Sequence, residues 1–217
     1  MAWLTDPWGT VVIATPTVSQ RSEIWAETRR AWEQAGVRQI VATLQPTDWP
    51  LGHKSQRRTA DDAVADALER YPEASHVLYA EDDILIDPAI TRRLPGLLGA
   101  RVPITLFVAG TRHYPASIRR TLDAGQALAE AVIPITGQRA WVGSLAVLLP
   151  RGVAEASTRW ESRYTGWDVH IREFLRAHGR RLCVAVPNLV QHRDIESMTG
   201  SPRGAVSVTF GQSREDT

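Results

Sequence analysis

The sequence predicts an α/β fold: a single domain with a Rossmann-like, mostly parallel central sheet and helices on both faces. Three observations predict it. The runs Thr10-Val11-Val12-Ile13-Ala14-Thr15 and His76-Val77-Leu78-Tyr79-Ala80 are apolar almost throughout, as strands covered on both faces are. Amphipathic stretches of helical length separate such runs over the first half, the alternation that builds a parallel sheet. The 217 residues fit one domain, which at this size buries roughly 70% of its unfolded surface.

Each element follows from local pattern. Residues 10–15 form the first strand, ended by Pro16. Residues 22–35 read as a helix capped by Ser22, with Ile24, Trp25, Thr28, Ala31 and Trp32 on one face and Gly36 at its end. Residues 37–44 give a second strand, and a loop containing Pro46, Trp49 and Pro50 leads to Gly52. The second helix spans residues 57–71, with Ala60, Ala63, Val64, Ala67 and Leu68 on one side. The third strand is read over residues 76–88. It enters Glu81-Asp82-Asp83, leaves through Ile84-Leu85-Ile86 and stops at Asp87-Pro88.

Residues 88–98 make a short helix and 104–109 a strand. A helix is expected over 121–131, a short strand over 132–136, and an apolar segment over 140–149. Residues 151–158 form a short helix, 168–178 a stronger one stopped by Gly179, and 182–186 the last strand. Alternation is less regular in this half, so at least one antiparallel strand is expected there. The domain is expected to cover residues 1–197. Residues 198–217, rich in Gly, Ser and charge, read as a C-terminal tail or a lid over the site.

Composition narrows the function classes. Hydrophobic residues at 43% and charged residues at 23% are ordinary for a soluble globular protein, and a net charge of +1 removes any global electrostatic argument for nucleic acid or membrane. Lys54 is the only lysine, so arginine, the better fork for phosphate, supplies the cations. Cys183, alone in an apolar run, permits no intrachain disulfide and reads as a small buried hydrophobe. No apolar stretch reaches the ~20 residues of a membrane span, and a signal-peptide pattern is missing, so a cytoplasmic location is expected. Of the eight tryptophans, Trp25 and Trp32 stand seven apart on a helix and read as core. Trp49, Trp141 and Trp167 lie near turn signals, where they could offer a stacking surface for a sugar or base.

The chemistry concentrates at the acidic triplet. Strand ends at the carboxyl edge of such a sheet are where ligands bind. Three carboxylates there repel one another unless a cation arrives, and magnesium or manganese favours oxygen ligands. The plainer alternative is that these acids cap the next helix or lie in solvent. After the first strand, Thr15-Pro16-Thr17-Val18-Ser19-Gln20-Arg21 offers hydroxyls, backbone amides and an arginine, a set that can grip a diphosphate. It lacks the glycines of a dinucleotide fingerprint or a P-loop.

Two further segments complete an ordered set. One is Arg139-Ala140-Trp141-Val142-Gly143-Ser144-Leu145; the other is Thr165-Gly166-Trp167-Asp168, followed by Pro187-Asn188-Leu189-Val190-Gln191-His192 and Ser197. In this order the chain resembles the nucleotide-sugar-dependent glycosyltransferases of the GT-A fold, over about residues 10–197. The resemblance implies a hexosyl- or pentosyltransferase using Mn2+ or Mg2+ and a nucleotide-diphosphate donor such as a UDP-sugar. It makes Asp83 the direct metal ligand, with Glu81 or Asp82 reaching the metal through water or holding donor hydroxyls. His192 completes the metal or pyrophosphate site. Asp168 is the candidate general base of an inverting transfer, with a helix-capping role as its alternative; His170 is a poorer candidate. Thr15, Pro16, Arg21 and Lys54 are the expected donor contacts. Asp194 departs from the pattern, since relatives often have glycine there.

The acceptor stays open among a glycan, a small molecule and a hydroxymethylated DNA base, the last in the manner of small bacteriophage enzymes of this fold. Arg112-His113, Arg119-Arg120 and Arg180-Arg181 could then touch phosphates. Two other readings compete: a nucleotidyltransferase of related fold, and a nucleotide-sugar-binding module without turnover. The oligomeric state is not readable.

Overall fold

The computed structural model describes residues 6–128, 131–135, 144–193, 195 and 206–212. Among them, seven strands form one sheet in the order β2 (Ile40–Leu44), β1 (Val11–Thr17), β3 (His76–Ala80), β7 (Ala146–Pro150), β5 (Ile104–Thr105), β8 (Cys183–Val186), β6 (Ala131–Pro134). β1 runs parallel to β2 and β3, and β5 parallel to β8, while β7 and β6 pair antiparallel with their neighbours. Five strands therefore point one way, and the antiparallel strands expected in the second half are β6 and β7. A second, two-stranded sheet joins β4 (Ile84–Ile86) to β9 (Val190–His192).

Helices cover both faces, as the doubly apolar strands require. Val12, Ala14, Val77 and Tyr79 point to a core shared with α2 (His53–Arg70), α4 (Ala116–Asp123), α5 (Arg151–Thr158) and α6 (Trp167–Ala177). Val11, Ile13, Leu78 and Ala80 point the other way, to a core shared with Trp32 of α1 (Ser22–Gln34) and Ile90, Leu94 and Leu97 of α3 (Ile90–Gly99). Trp8 closes that core edge-on to Trp32, ring centroids 5.9 Å apart.

Several boundaries differ from expectation, each for a physical reason. β1 does not stop at Pro16 but continues to Thr17. β3 pairs with β1 only as far as Ala14, so Pro16 has one ladder neighbour, Thr43, and its missing N–H is tolerated as on an edge strand. Ser22 is the first helical residue and not the cap; Arg21 flanks the helix and no side chain caps it. α2 begins at His53, which moves Lys54 from the loop into the first helical turn. The helix expected over residues 121–131 lies earlier, because the chain ends α4 at Asp123 and Gly125 then takes a positive φ of 64°. Trp25 is half-buried, while Trp32 is fully in the core.

The largest correction concerns the third strand. Residues 76–88 are not one strand: β3 ends at Ala80, and β4 leaves the main sheet to pair with β9, Ile84 opposite His192. The three carboxylates sit at the break. β9 itself lies beyond the strand that the sequence offered as the last. The C-terminal residues 206–212 lie against the body: Gly110 N–H donates to Val206 O, and Ser207 and Thr209 are buried beside Tyr114 and Asn188.

Candidate active site

β1 and β3 are parallel neighbours, so their carboxyl ends, Thr15–Thr17 and Glu81–Asp83, come out side by side. The backbone of the triplet is fixed from three directions. Glu81 N–H donates to Leu145 O at 2.8 Å, Thr28 Oγ1 of α1 donates to Asp82 O at 2.7 Å, and Arg193 N–H donates to Asp83 O at 2.9 Å. Of the expected segment 139–150, residues 139–143, Trp141 and Gly143 included, lie outside the described residues, as do Asp194 and Ser197.

Arg21 binds the acidic pair directly. Its Nη1 is 2.9 Å from Asp82 Oδ1 and 2.6 Å from Asp83 Oδ2, with side chains only 11%, 6% and 2% exposed. Thr17 Oγ1 donates to the other Asp82 oxygen at 2.7 Å. Both oxygens of Asp82 are thus engaged. Asp83 differs: Oδ2 also lies 3.5 Å from His192 Nε2, while Oδ1 is buried and has no hydrogen-bond partner among the described residues. A buried carboxylate oxygen left without a donor is costly unless a ligand supplies one.

The electrostatics match the crowding. Burial pushes the Glu81 carboxyl well above the usual carboxylate range, with Asp83, Asp82 and Asp168 adding to the rise and Arg21 opposing it. Burial also raises Asp82, against the Thr17 hydrogen bond that lowers it. Tyr79, whose hydroxyl is buried without a partner, is pushed well up by burial and then by Glu81, Asp82, Asp168 and Asp83. Four carboxylates therefore bear on one region.

Asp168 joins them through an aromatic weld. Trp167, the first residue of α6, stacks on Tyr79 of β3 with ring centroids 3.7 Å apart and planes 16° apart. That contact fixes the start of α6 against the sheet. It also overturns Trp167 as a stacking surface, since the ring is 3% exposed and its face is taken by Tyr79. Asp168 Oδ1 accepts from Val169 N–H at 2.8 Å. A Cβ on Gly166 would stand 2.8 Å from the same oxygen, so only glycine leaves the carboxylate where it is. Arg57 of α2 holds the preceding loop through the carbonyls of Ser162 and Tyr164.

Not every expected residue is gathered here. Thr15 is fully buried with its hydroxyl unpartnered, and Pro16 is buried in the strand. Lys54 is exposed, and among the described residues no hydrogen bond or ion pair joins it to the carboxylates. His170 faces away: its Nε2 lies 3.1 Å from Ser157 O and 4.0 Å from Asp61. Burial, with the charge of Arg57, lowers it to about 4. Trp49 lies under the Arg58 guanidinium, 4.1 Å from its ring centroid. Sequence reasoning missed Thr28, Tyr79 and Arg193, and it read Thr17 as one hydroxyl of the diphosphate loop and not as the partner of Asp82. Thr17 had a signal, since period-two spacing puts it on the same face as Thr15.

Among the described residues no group of three or more His, Cys, Asp or Glu side chains converges as a ready metal cage. The donor set still fits a hard divalent cation. Asp83 and His192 supply oxygen and nitrogen, Asp83 Oδ1 lacks a partner, and magnesium-type sites commonly take one or two protein ligands plus substrate phosphates.

Comparison of the sequence with protein-family models gave no match, and comparison with curated proteins gave none either. Solved structures do match in shape. The catalytic domain of Drosophila beta1,4galactosyltransferase 7, in complex with xylobiose, superposes with a TM-score of 0.53 at 13% identity, over 93% of this chain and 76% of that one. A glycosyltransferase involved in the glycosylation of the major capsid of PBCV-1 superposes with a TM-score of 0.56 at 12% identity, over 87% of this chain and 94% of that one. The chain has the GT-A fold of these enzymes, as the order of its motifs implied. No helix among the described residues is long and apolar enough to cross a membrane.

Proposed function

We propose that the protein is a metal-dependent glycosyltransferase that moves a sugar from a nucleoside-diphosphate donor, a UDP-sugar, to an acceptor hydroxyl with inversion. One observation carries this reading. At the carboxyl edge of a GT-A sheet, an arginine and a histidine meet at Oδ2 of Asp83, beside Asp82, while the other Asp83 oxygen, Oδ1, is buried and has no hydrogen-bond partner among the described residues.

Asp83 and His192 would hold Mn2+ or Mg2+, whose charge offsets the negative charge gathering on the leaving diphosphate. Glu81 and Asp82 face the donor's ribose or sugar hydroxyls, and the end of β1 with the turn after it, Thr17 to Arg21, lines the diphosphate. Asp168 takes the proton of the acceptor hydroxyl as that oxygen bonds to the anomeric carbon. The bond from that carbon to the β-phosphate oxygen breaks in the same displacement, and the nucleoside diphosphate leaves. The stacked Tyr79–Trp167 pair and Gly166 keep the Asp168 carboxylate in place for this step.

The acceptor classes are a glycan, a small molecule or a hydroxymethylated DNA base. The glycan leads, because the Drosophila relative in fold was solved with xylobiose. A donor-hydrolysis assay over a panel of nucleotide sugars with Mn2+ tests the proposal. Release of free sugar and nucleoside diphosphate is the expected result. Pyrophosphate release would replace it with nucleotidyl transfer, and no release from any donor would leave a binding module.

A further inference from the structure

A site that takes a metal on Asp83 and donor hydroxyls on Asp82 ought to present both carboxylates to what arrives. Here a cation already stands between them. Nη1 of Arg21 contacts both carboxylates, at 2.9 and 2.6 Å, and none of the three side chains is more than 11% exposed. Thr17 takes the remaining Asp82 oxygen at 2.7 Å. The only Asp83 oxygen left over, Oδ1, is buried and unpartnered.

We propose that Arg21 is a tethered counter-ion that the divalent cation must displace, so that metal and donor diphosphate enter together. Two adjacent buried carboxylates without a positive charge are strongly unfavourable, and Arg21 makes the donor-free state tolerable. A divalent ion arriving alone gains Asp83 and His192, but it costs the guanidinium both of its carboxylate contacts. When the ion arrives with a diphosphate, the displaced guanidinium finds phosphate oxygens, which arginine binds as well as it binds carboxylates. Arg21 is placed for that transfer. It ends the short 3-10 turn Ser19–Arg21 and flanks α1, so rotation of its own side chain moves the charge without moving a strand.

The inference rests on the metal-dependent reading and refines it. Mn2+ binding, followed by the EPR signal of the free ion, is compared in wild type, R21Q, R21M and R21K, with and without UDP. R21M keeps the methylene stem if glutamine unsettles the fold. Without UDP, the neutral variants should bind Mn2+ at least about tenfold tighter than wild type, while R21K, which keeps the charge, stays within about threefold of it. With UDP the order should reverse, the neutral variants holding the nucleotide more weakly. Equal UDP-free Mn2+ affinity in all four proteins, or tightening in R21K as large as in R21Q, overturns the exchange while leaving the metal-dependent reading intact. Failure of wild type to bind Mn2+ even with UDP overturns both.

Discussion

Two buried polar clusters lie in this protein, and they are built in opposite ways. Just past the carboxyl end of β8, Asn188 Oδ1 accepts from Val108 N–H, Tyr114 Oη and Ser207 Oγ at 2.9, 2.8 and 2.7 Å, while its Nδ2 donates to Ala185 O at 2.7 Å. Thr209 Oγ1 closes the knot by accepting from Asn188 N–H at 3.1 Å. Every member is neutral, and none leaves a buried side-chain atom without a partner. At the end of β3 the cluster instead crowds carboxyl groups around Arg21, Glu81 is pushed well above its usual range, and among the described residues Tyr79 Oη, Thr15 Oγ1 and Asp83 Oδ1 lack partners. A satisfied network fixes a fold, here by fastening residues 206–212 to the body. An unsatisfied, charged one stores a demand for a ligand.

Variants can break that contrast, and the largest effect is expected at Asp168. D168N should cut turnover by about 10²- to 10⁴-fold, the span of general-base catalysis, with UDP binding and thermal stability close to wild type. Steady-state kinetics beside calorimetry checks it, and wild-type turnover would remove the role. The knot should behave inversely. N188A strands the donors that converged on its oxygen and should lower unfolding free energy by about 3 kcal/mol in denaturant titration, with the turnover of the folded fraction retained.

A smaller change sharpens the acidic side. T17V removes the hydroxyl from Asp82 Oδ2, and a hydrogen bond to a charged group is worth about 1.5–3 kcal/mol, so donor affinity should weaken roughly tenfold. G166A should act on Asp168 alone, lowering kcat with KM for the donor unchanged, because its Cβ meets that carboxylate at 2.8 Å.

The smallest expected effect lies outside both clusters. Burial holds His170 neutral, its pKa lowered from 6.5 to about 4, so it supports the fold above pH 6.5 and withdraws that support as pH falls towards 4. Asp61 nearby is raised by burial from 3.8 to about 6, so its contribution is present below 3.8 and is lost as pH rises through 6. The two oppose each other across the same window. H170Q leaves only Asp61, and its melting temperature should fall less than that of wild type as pH drops from 6.5 towards 4. An unchanged slope would exclude His170 as the source.

Much of the fold was readable because its signals are local. The β1 and β3 runs and the apolar faces of α1 and α2 are contiguous in sequence, and Gly36 and Gly179 mark helix ends. The position of the acidic triplet at a strand end was readable for the same reason. What escaped depends on partners far away along the chain. The break after Ala80 shows only when β9 takes β4, and the apolar residues on either side of the carboxylates look alike. Arg21 read as a donor contact because its present partners lie 61 and 62 residues further on. Trp167 read as a stacking surface because Tyr79, which covers it, belongs to another element. Thr17, not Thr15, reaches Asp82, and that choice depends on where β3 leaves the sheet.

The central claim is that the unsatisfied cluster exists to take a cation-bound diphosphate. Calorimetry of UDP with wild type and D83A, with Mn2+ present and then chelated, tests it most directly. The account predicts binding by wild type only with Mn2+, weakened at least about 100-fold in D83A while the variant melts as a folded protein. UDP binding of equal strength in D83A, or binding indifferent to Mn2+, would contradict it.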